Sequence, residues 1–133
     1  MRIVVDASAV GELIVTERRE ATLFLLLQRG DAELHAPFLC DVEVTSLVFR
    51  LERRRTISAQ RALQVLTDYV ELPIERHRHL AYISRVFELR NNFTAYDAMY
   101  VALCEALDAS LLTADTRLAS AARRHTAIDV LPR

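Results

Sequence analysis

Four acids occupy places in this sequence where a carboxylate can do chemistry: Asp6, Glu43, Asp97 and Asp115. Asp6 ends the apolar run Ile3-Val4-Val5, and Asp115 follows the run Ser110-Leu111-Leu112-Thr113. If both runs are strands of a parallel sheet, both acids land on the rim at the strands' carboxyl ends, where α/β proteins bind ligands. Asp97 comes three residues after Thr94, a good N-cap residue, and so occupies the first turn of a helix that leads into the second run. Glu43 shares a helix face with Leu47, Arg50 and Arg54, at offsets of four, seven and eleven residues. Each acid alone has an ordinary structural use: a helix cap for Asp6 and Asp115, a capping box for Asp97, an ion pair with Arg50 or Arg54 for Glu43. Jointly they are harder to explain. Clustered carboxylates repel by about 3 kcal/mol per pair at roughly 5 Å and an effective dielectric of about 20. Such a cluster needs a cation, and an oxygen-only donor set suits Mg²⁺ or Mn²⁺ rather than zinc.

Other chemistries lack their residues. Gly11 and Gly30 are the only glycines, so neither a dinucleotide-binding nor a P-loop glycine run exists, and the nucleophile elbow is absent too. His35, His77, His79 and His125 show no zinc spacing, and on a helix His77 and His79 would point apart, so surface or structural roles are expected. Cys40 and Cys104 each fall inside an expected helix without metal spacing, which predicts buried free thiols in a reducing compartment. All 17 bases are arginine, set against 18 acids, so no global attraction to nucleic acid arises. Arg50, Arg53, Arg54, Arg90 and Arg117 are candidates for local contacts to backbone phosphates, and each also suits a solvated or ion-paired surface. Hydrophobic residues make up 52% of the chain, which fits a compact fold and argues against disorder. No apolar run approaches membrane-spanning length, and Met1-Arg2 leads directly into the first strand without room for a signal sequence. A cytoplasmic protein with no membrane association is expected.

The elements that must position the acids follow from hydrophobic period and capping. Ile3–Val5 reads as a central parallel strand. Ser8 then caps a helix from Ala9 to about Thr16, and a second helix runs from about Arg19 to Gln28, closed by Gly30. Leu23 to Leu27 make that helix apolar around most of its circumference, which suits either a core helix or a partner surface. Leu34–Ala36 is a second strand. A long helix from Leu39 to Arg54 carries Glu43 and turns Val42, Leu47, Val48 and Leu51 inward. Ser58 caps a helix to about Tyr69, with Ala62, Leu63, Val65 and Leu66 inward. Val70–Ile74 is a short strand or extended connection, and Arg76–Leu89 a further helix. The helix after Thr94 has an apolar face of Ala98, Val101, Ala102, Ala106 and Leu107, and breaks at Asp108-Ala109. After Asp115 come a helix to about His125 and a last strand, Ile128–Leu131. Strands alternating with helices, without repeat or linker, give one α/β domain over residues 1–133. Its mainly parallel central sheet is flanked by helices in three layers.

The segments Ile3-Val4-Val5-Asp6-Ala7-Ser8-Ala9, the Glu43 helix entered from Ala36-Pro37, Thr94-Ala95-Tyr96-Asp97-Ala98 and Leu112-Thr113-Ala114-Asp115 together resemble the PIN-domain ribonucleases. More narrowly, they resemble the VapC toxins of bacterial toxin–antitoxin pairs, in order and over essentially the whole chain. The resemblance implies that Asp6, Glu43, Asp97 and Asp115 form a metal-binding cluster for Mg²⁺, with Mn²⁺ as a substitute. Thr113, and with it Ser8, would orient an acid or a bound water. It implies hydrolysis of RNA to a 3′-hydroxyl and a 5′-phosphate, a VapB-type antitoxin as partner, and a homodimer. The helix holding Leu23 to Leu27 and the helix after Ser58 are candidates for the groove or the dimer face. Thr116-Arg117 departs from the pattern of many PIN domains, which place a further acid or amide there, and this bears on a second metal. A phosphoacceptor receiver domain would need a lysine that this chain lacks. The competing class is a PIN-like module that binds RNA or protein without cutting.

Overall fold

A computed structural model describes residues 1–16 and 21–132. The chain runs β1 (Arg2–Val5), α1 (Ala7–Ile14), α2 (Thr22–Arg29), β2 (Glu33–Pro37), α3 (Leu39–Arg53), α4 (Ala59–Glu71) and β3 (Ile74–His77). A 3₁₀ turn (Leu80–Tyr82) leads into α5 (Ile83–Glu88), α6 (Ala95–Leu107), β4 (Ser110–Leu112), α7 (Thr116–His125) and β5 (Val130–Leu131). The strands form one sheet in the order β3-β2-β1-β4-β5, and every neighbouring pair is parallel. The expected parallel α/β class holds, with helices flanking the sheet.

From β1 the chain builds outward through β2 and β3, then returns to lay β4 against the other side of β1. The strand order therefore reverses between β1 and β4, and a crevice opens at their carboxyl ends. Ile3, Val4, Val5 and Leu111 are fully buried, which is why these strands read as unbroken apolar runs. Val5 pairs with Leu112 and the Asp6 N–H donates to the Leu112 carbonyl, so the two strand ends lie level.

Helix α6 packs on β1, β2 and β4 and against α5. Every residue from Ala98 to Cys104 is buried, so the helix is enclosed on all sides. One apolar face is too narrow a description, and Ala106, expected on it, is exposed. Thr94 caps α6 by accepting from the Asp97 N–H at 3.1 Å, and Asp108 ends it in the left-handed region at φ 51°. Gly30, at φ 75°, closes α2 as expected. The expected start of that helix near Arg19 lies outside the described residues.

Several expectations need correction. The N-cap of α1 is Asp6, not Ser8, because the Asp6 carboxylate accepts from the Ala9 N–H and the helix begins at Ala7. Residues 70–71 continue α4, and the strand falls instead at Ile74–His77, its last two residues within the stretch read as a helix from Arg76. His77 is thus a strand residue, and α5 is short. Val42 and Leu63 point outward, at 67% and 68% exposure. On α3 the inward positions are Cys40, Val44 and Val48, one turn apart. Both cysteines are free and buried, as expected.

Candidate metal centre

Asp6 leaves β1 and caps α1, while Asp115 comes three residues after the end of β4 and caps α7, accepting from the Arg117 and Leu118 N–H groups at 2.9 and 3.2 Å. The two strands are neighbours at the reversal point, so their acids face one crevice. Asp97 enters from the first turn of α6 and Glu43 from α3. All four acids line one cleft of about 460 Å³, together with Ser8, Arg50, Tyr96 and Tyr100. Glu43 is held by Tyr100, whose hydroxyl donates to Oε1 at 2.6 Å, and not by Arg50 or Arg54.

The floor of the cleft is a closed set of hydrogen bonds. Ser8 Oγ donates to Asp6 Oδ1 at 2.7 Å, and Thr113 Oγ1 donates to Asp6 Oδ2. Each hydroxyl has one proton and accepts in return: Ser8 from the Ala114 N–H at 2.9 Å, Thr113 from the Asp115 N–H at 3.0 Å. The Asp6 carboxylate thereby receives three donors, counting the Ala9 N–H, and acts only as an acceptor. The same hydroxyls tie the loop after β4 to the start of α1, coupling Asp6 and Asp115 in position.

Burial pushes the Asp6, Glu43 and Asp97 carboxyls above their ordinary values. Neighbouring carboxylates add to the push: Asp115 on Asp6 and Asp97, and Asp6 and Asp97 on Glu43. Thr113, Ala9 and Ser8 oppose it at Asp6, Tyr100 opposes it at Glu43, and Arg117 at Asp97. The Arg117 guanidinium lies 3.6 Å from Asp97 Oδ2 and 3.7 Å from Asp115 Oδ2, but it is largely exposed and so screens them weakly. Negative charge is thus crowded and only partly neutralised.

A hard divalent cation fits this donor set, which is oxygen throughout. Among the described residues, no three of the four acids bring ligand atoms within 4.8 Å of one another. An ion held there through one or two carboxylates would complete its shell with water, as Mg²⁺ commonly does. Arg50 reaches the cleft and donates to Ser46 Oγ at 3.4 Å. Arg54 caps the exposed end of α3, and Arg90 stacks on the Phe87 ring at 4.0 Å; neither lines the cleft. Sequence reasoning missed Tyr100, one turn after Asp97 on α6, whose spacing places it on the same face.

The PIN domain family model matches residues 3–124. The chain is 37% identical over 131 residues to a VapC ribonuclease, Mb0985, of Mycobacterium bovis, covering 98% of this chain and 99% of that protein. It is 36% identical over 129 residues to ribonuclease VapC12 of Mycobacterium tuberculosis, covering 97% and 98%. Among solved structures, PAE2754 from Pyrobaculum aerophilum shares the fold at a TM-score of 0.72 and 18% identity, over 98% of this chain and 83% of that one. VapBC2 from Rickettsia felis, bound to a DNA fragment from their promoter, does so at 0.70 and 13%, over 98% and 97%. A family match across most of the chain and full-length relatives above a third identical lead to one conclusion: this chain belongs to the PIN-domain family, among its VapC ribonucleases.

Proposed function

We propose that this chain is an endoribonuclease toxin whose cleft, with Asp6, Glu43, Asp97 and Asp115, holds Mg²⁺ or Mn²⁺ and hydrolyses RNA phosphodiester bonds. One observation carries the assignment: four carboxylates from four separate segments line one crevice at the β1–β4 reversal point. When bound, the cation supplies an activated water and a counter-charge for the scissile phosphate. Asp6, locked by Ser8 and Thr113, presents fixed acceptor oxygens at the base of the cleft. Glu43 is oriented by Tyr100, which burial pushes far up, so that the phenol stays a donor. Arg50 and Arg117 stand at the edge of the acids, where a guanidinium can take a backbone phosphate. Arg54 and Arg90 would meet RNA only beyond the cleft.

The expected partner is a VapB-type antitoxin, supported by the curated VapC relatives and by apolar side chains left on the surface, among them Leu63, Val70, Leu80 and Phe87. A homodimer draws on the same exposed surface. No described helix is long and apolar enough to cross a membrane, and a cytoplasmic place is proposed.

The test is Asp97→Asn. Its cleavage of RNA in Mg²⁺ is expected to fall by at least a hundredfold with the fold intact by circular dichroism, and its Mn²⁺ binding by calorimetry to weaken. Undiminished cleavage with intact folding sinks the assignment. Absent metal binding in the wild type favours instead a module that binds RNA or protein without cutting.

A further inference from the structure

A second group of ligand atoms lies on the sheet, outside the acid cleft. His35 on β2 and Glu75 and His77 on β3 each bring one ligand atom within 4.8 Å of the others. Their juxtaposition follows from register. His35 pairs with Glu75, and Pro37 with His77, so all three side chains leave the same face of neighbouring strands. Arg76, between them, points to the other face and reaches Asp41 on α3 at 3.1 Å. None of the three residues lines the acid cleft.

The His35 ring is 5% exposed and has a polar partner on each nitrogen. Its Nε2 lies 3.2 Å from Glu33 Oε1. Its Nδ1 lies 2.9 Å from His77 Nε2 and 3.4 Å from Glu75 Oε2. If Nε2–H donates to Glu33, Nδ1 carries a lone pair, and that lone pair faces an imidazole nitrogen and a carboxylate oxygen. The 2.9 Å contact is closed either by a His77 Nε2–H donating to His35 Nδ1 or by an ion that both nitrogens and the Glu75 carboxylate share. A carboxylate on the far nitrogen is how metal-binding histidines are oriented. Glu75 is 68% exposed, so the group opens to solvent and an ion has access.

We propose that His35, Glu75 and His77 form a second metal site, for a Zn²⁺-class ion, with Glu33 orienting His35. Two imidazoles and one carboxylate suit zinc and its neighbours, whereas the oxygen-only cleft suits Mg²⁺, so the two sites differ in selectivity. Three protein ligands leave a fourth position to water. The ion would bridge β2 to the edge strand β3, whose polar sequence gives it few core contacts. The role assigned is a clamp on the sheet edge, distinct from the proposed RNA cleavage.

The experiment titrates metal-stripped full-length protein with Zn²⁺ by calorimetry and with Co²⁺ by visible absorption. Wild type, Asp97→Asn and His77→Gln are compared, because His77 is partly exposed and its loss spares the core. Expected are one Zn²⁺ equivalent retained in Asp97→Asn, Co²⁺ d–d bands of nitrogen–oxygen ligation, and at least tenfold weaker Zn²⁺ binding in His77→Gln. RNA cleavage in Mg²⁺ should be unchanged in His77→Gln. Zn²⁺ binding equal in His77→Gln and wild type, or lost only in Asp97→Asn, overturns the site. So does no Zn²⁺ binding at all, which would leave the His35–His77 contact as a hydrogen bond between the two rings. Failure of the cleft assignment reads out separately, in the Mg²⁺ activity of Asp97→Asn.

Discussion

At the scale of single residues, Asp6 is the best-determined member of the cleft. Both of its oxygens take hydroxyl protons, and those hydroxyls have no spare donor. Thr113→Val deletes one donor to Asp6 and the acceptor of the Asp115 N–H, so it should weaken Mn²⁺ binding by about 10- to 100-fold, as loss of a ligand's supporting partner does. Thr113→Ser keeps the hydroxyl and should restore most of it; equal defects in both would show that the methyl group, not the hydroxyl, matters. Asp97 gives a second prediction, about stability. Its carboxyl is raised chiefly by burial, so it holds its proton more tightly folded than unfolded, and its ionisation opposes folding. That cost is full above the raised value and fades as pH falls towards the unfolded one. In EDTA, Asp97→Asn should therefore melt above wild type at pH 7, with the gap closing as the pH falls into the ordinary carboxylate range. A gap that widens on acidification would reverse the sign. Asp6, Asp97 and Asp115 could be picked out in the sequence because strand exits and helix starts are marked by local signals, whereas Glu43, inside α3, stood out only by its helix face. Tyr100 was not legible, since its partner Glu43 lies 57 residues away and only the fold joins them.

At the scale of elements, the structural use of these acids is compatible with the chemical use proposed for them. Asp115 caps α7 through two backbone donors while lining the cleft, and Asp6 caps α1 in the same way. A helix N-terminus favours negative charge, so capping and exposing a carboxylate are compatible demands. The two can be separated at Asp115. Asn keeps a capping oxygen, so Asp115→Asn should hold the melting temperature while losing cleavage; Asp115→Ala should lose cleavage and about 1 kcal/mol of stability as well. Equal melting temperatures for both variants would mean that the cap contributes nothing. Elements with strong local marks were legible: the runs of β1 and β4, Thr94 and Ser58 as caps, Gly30 as a stop. The stretch from Val70 to Leu89 was not. Strand β3 is a four-residue edge strand, Ile74-Glu75-Arg76-His77, with a buried residue only at its start. Its polar residues reach outward to Asp41 and His35, partners on other elements. Without an alternating apolar pattern, nothing local distinguishes it from a polar helix.

At the scale of the whole molecule, the surface is less finished than the core. Leu80, Ile83 and Phe87 follow one another at offsets of three and four residues along the 3₁₀ turn and α5, and all three are exposed. Arg90 covers part of Phe87 by stacking on its ring. A net charge of −1 offers little repulsion between copies, so nothing electrostatic holds this stripe apart from a second one. Without its partner the chain should therefore sediment above 15.2 kDa at tens of micromolar. Leu80→Glu with Phe87→Glu puts four like charges across a two-fold contact and should return it to the mass of one chain. Because both side chains are exposed, folding stability should change by no more than about 0.5 kcal/mol, and RNA cleavage, remote from the stripe, should persist. A wild-type protein that stays a monodisperse monomer across that range removes the homodimer. Loss of cleavage in the monomeric double variant would instead mean that the active form is the dimer, even though one chain supplies all four acids of its own cleft.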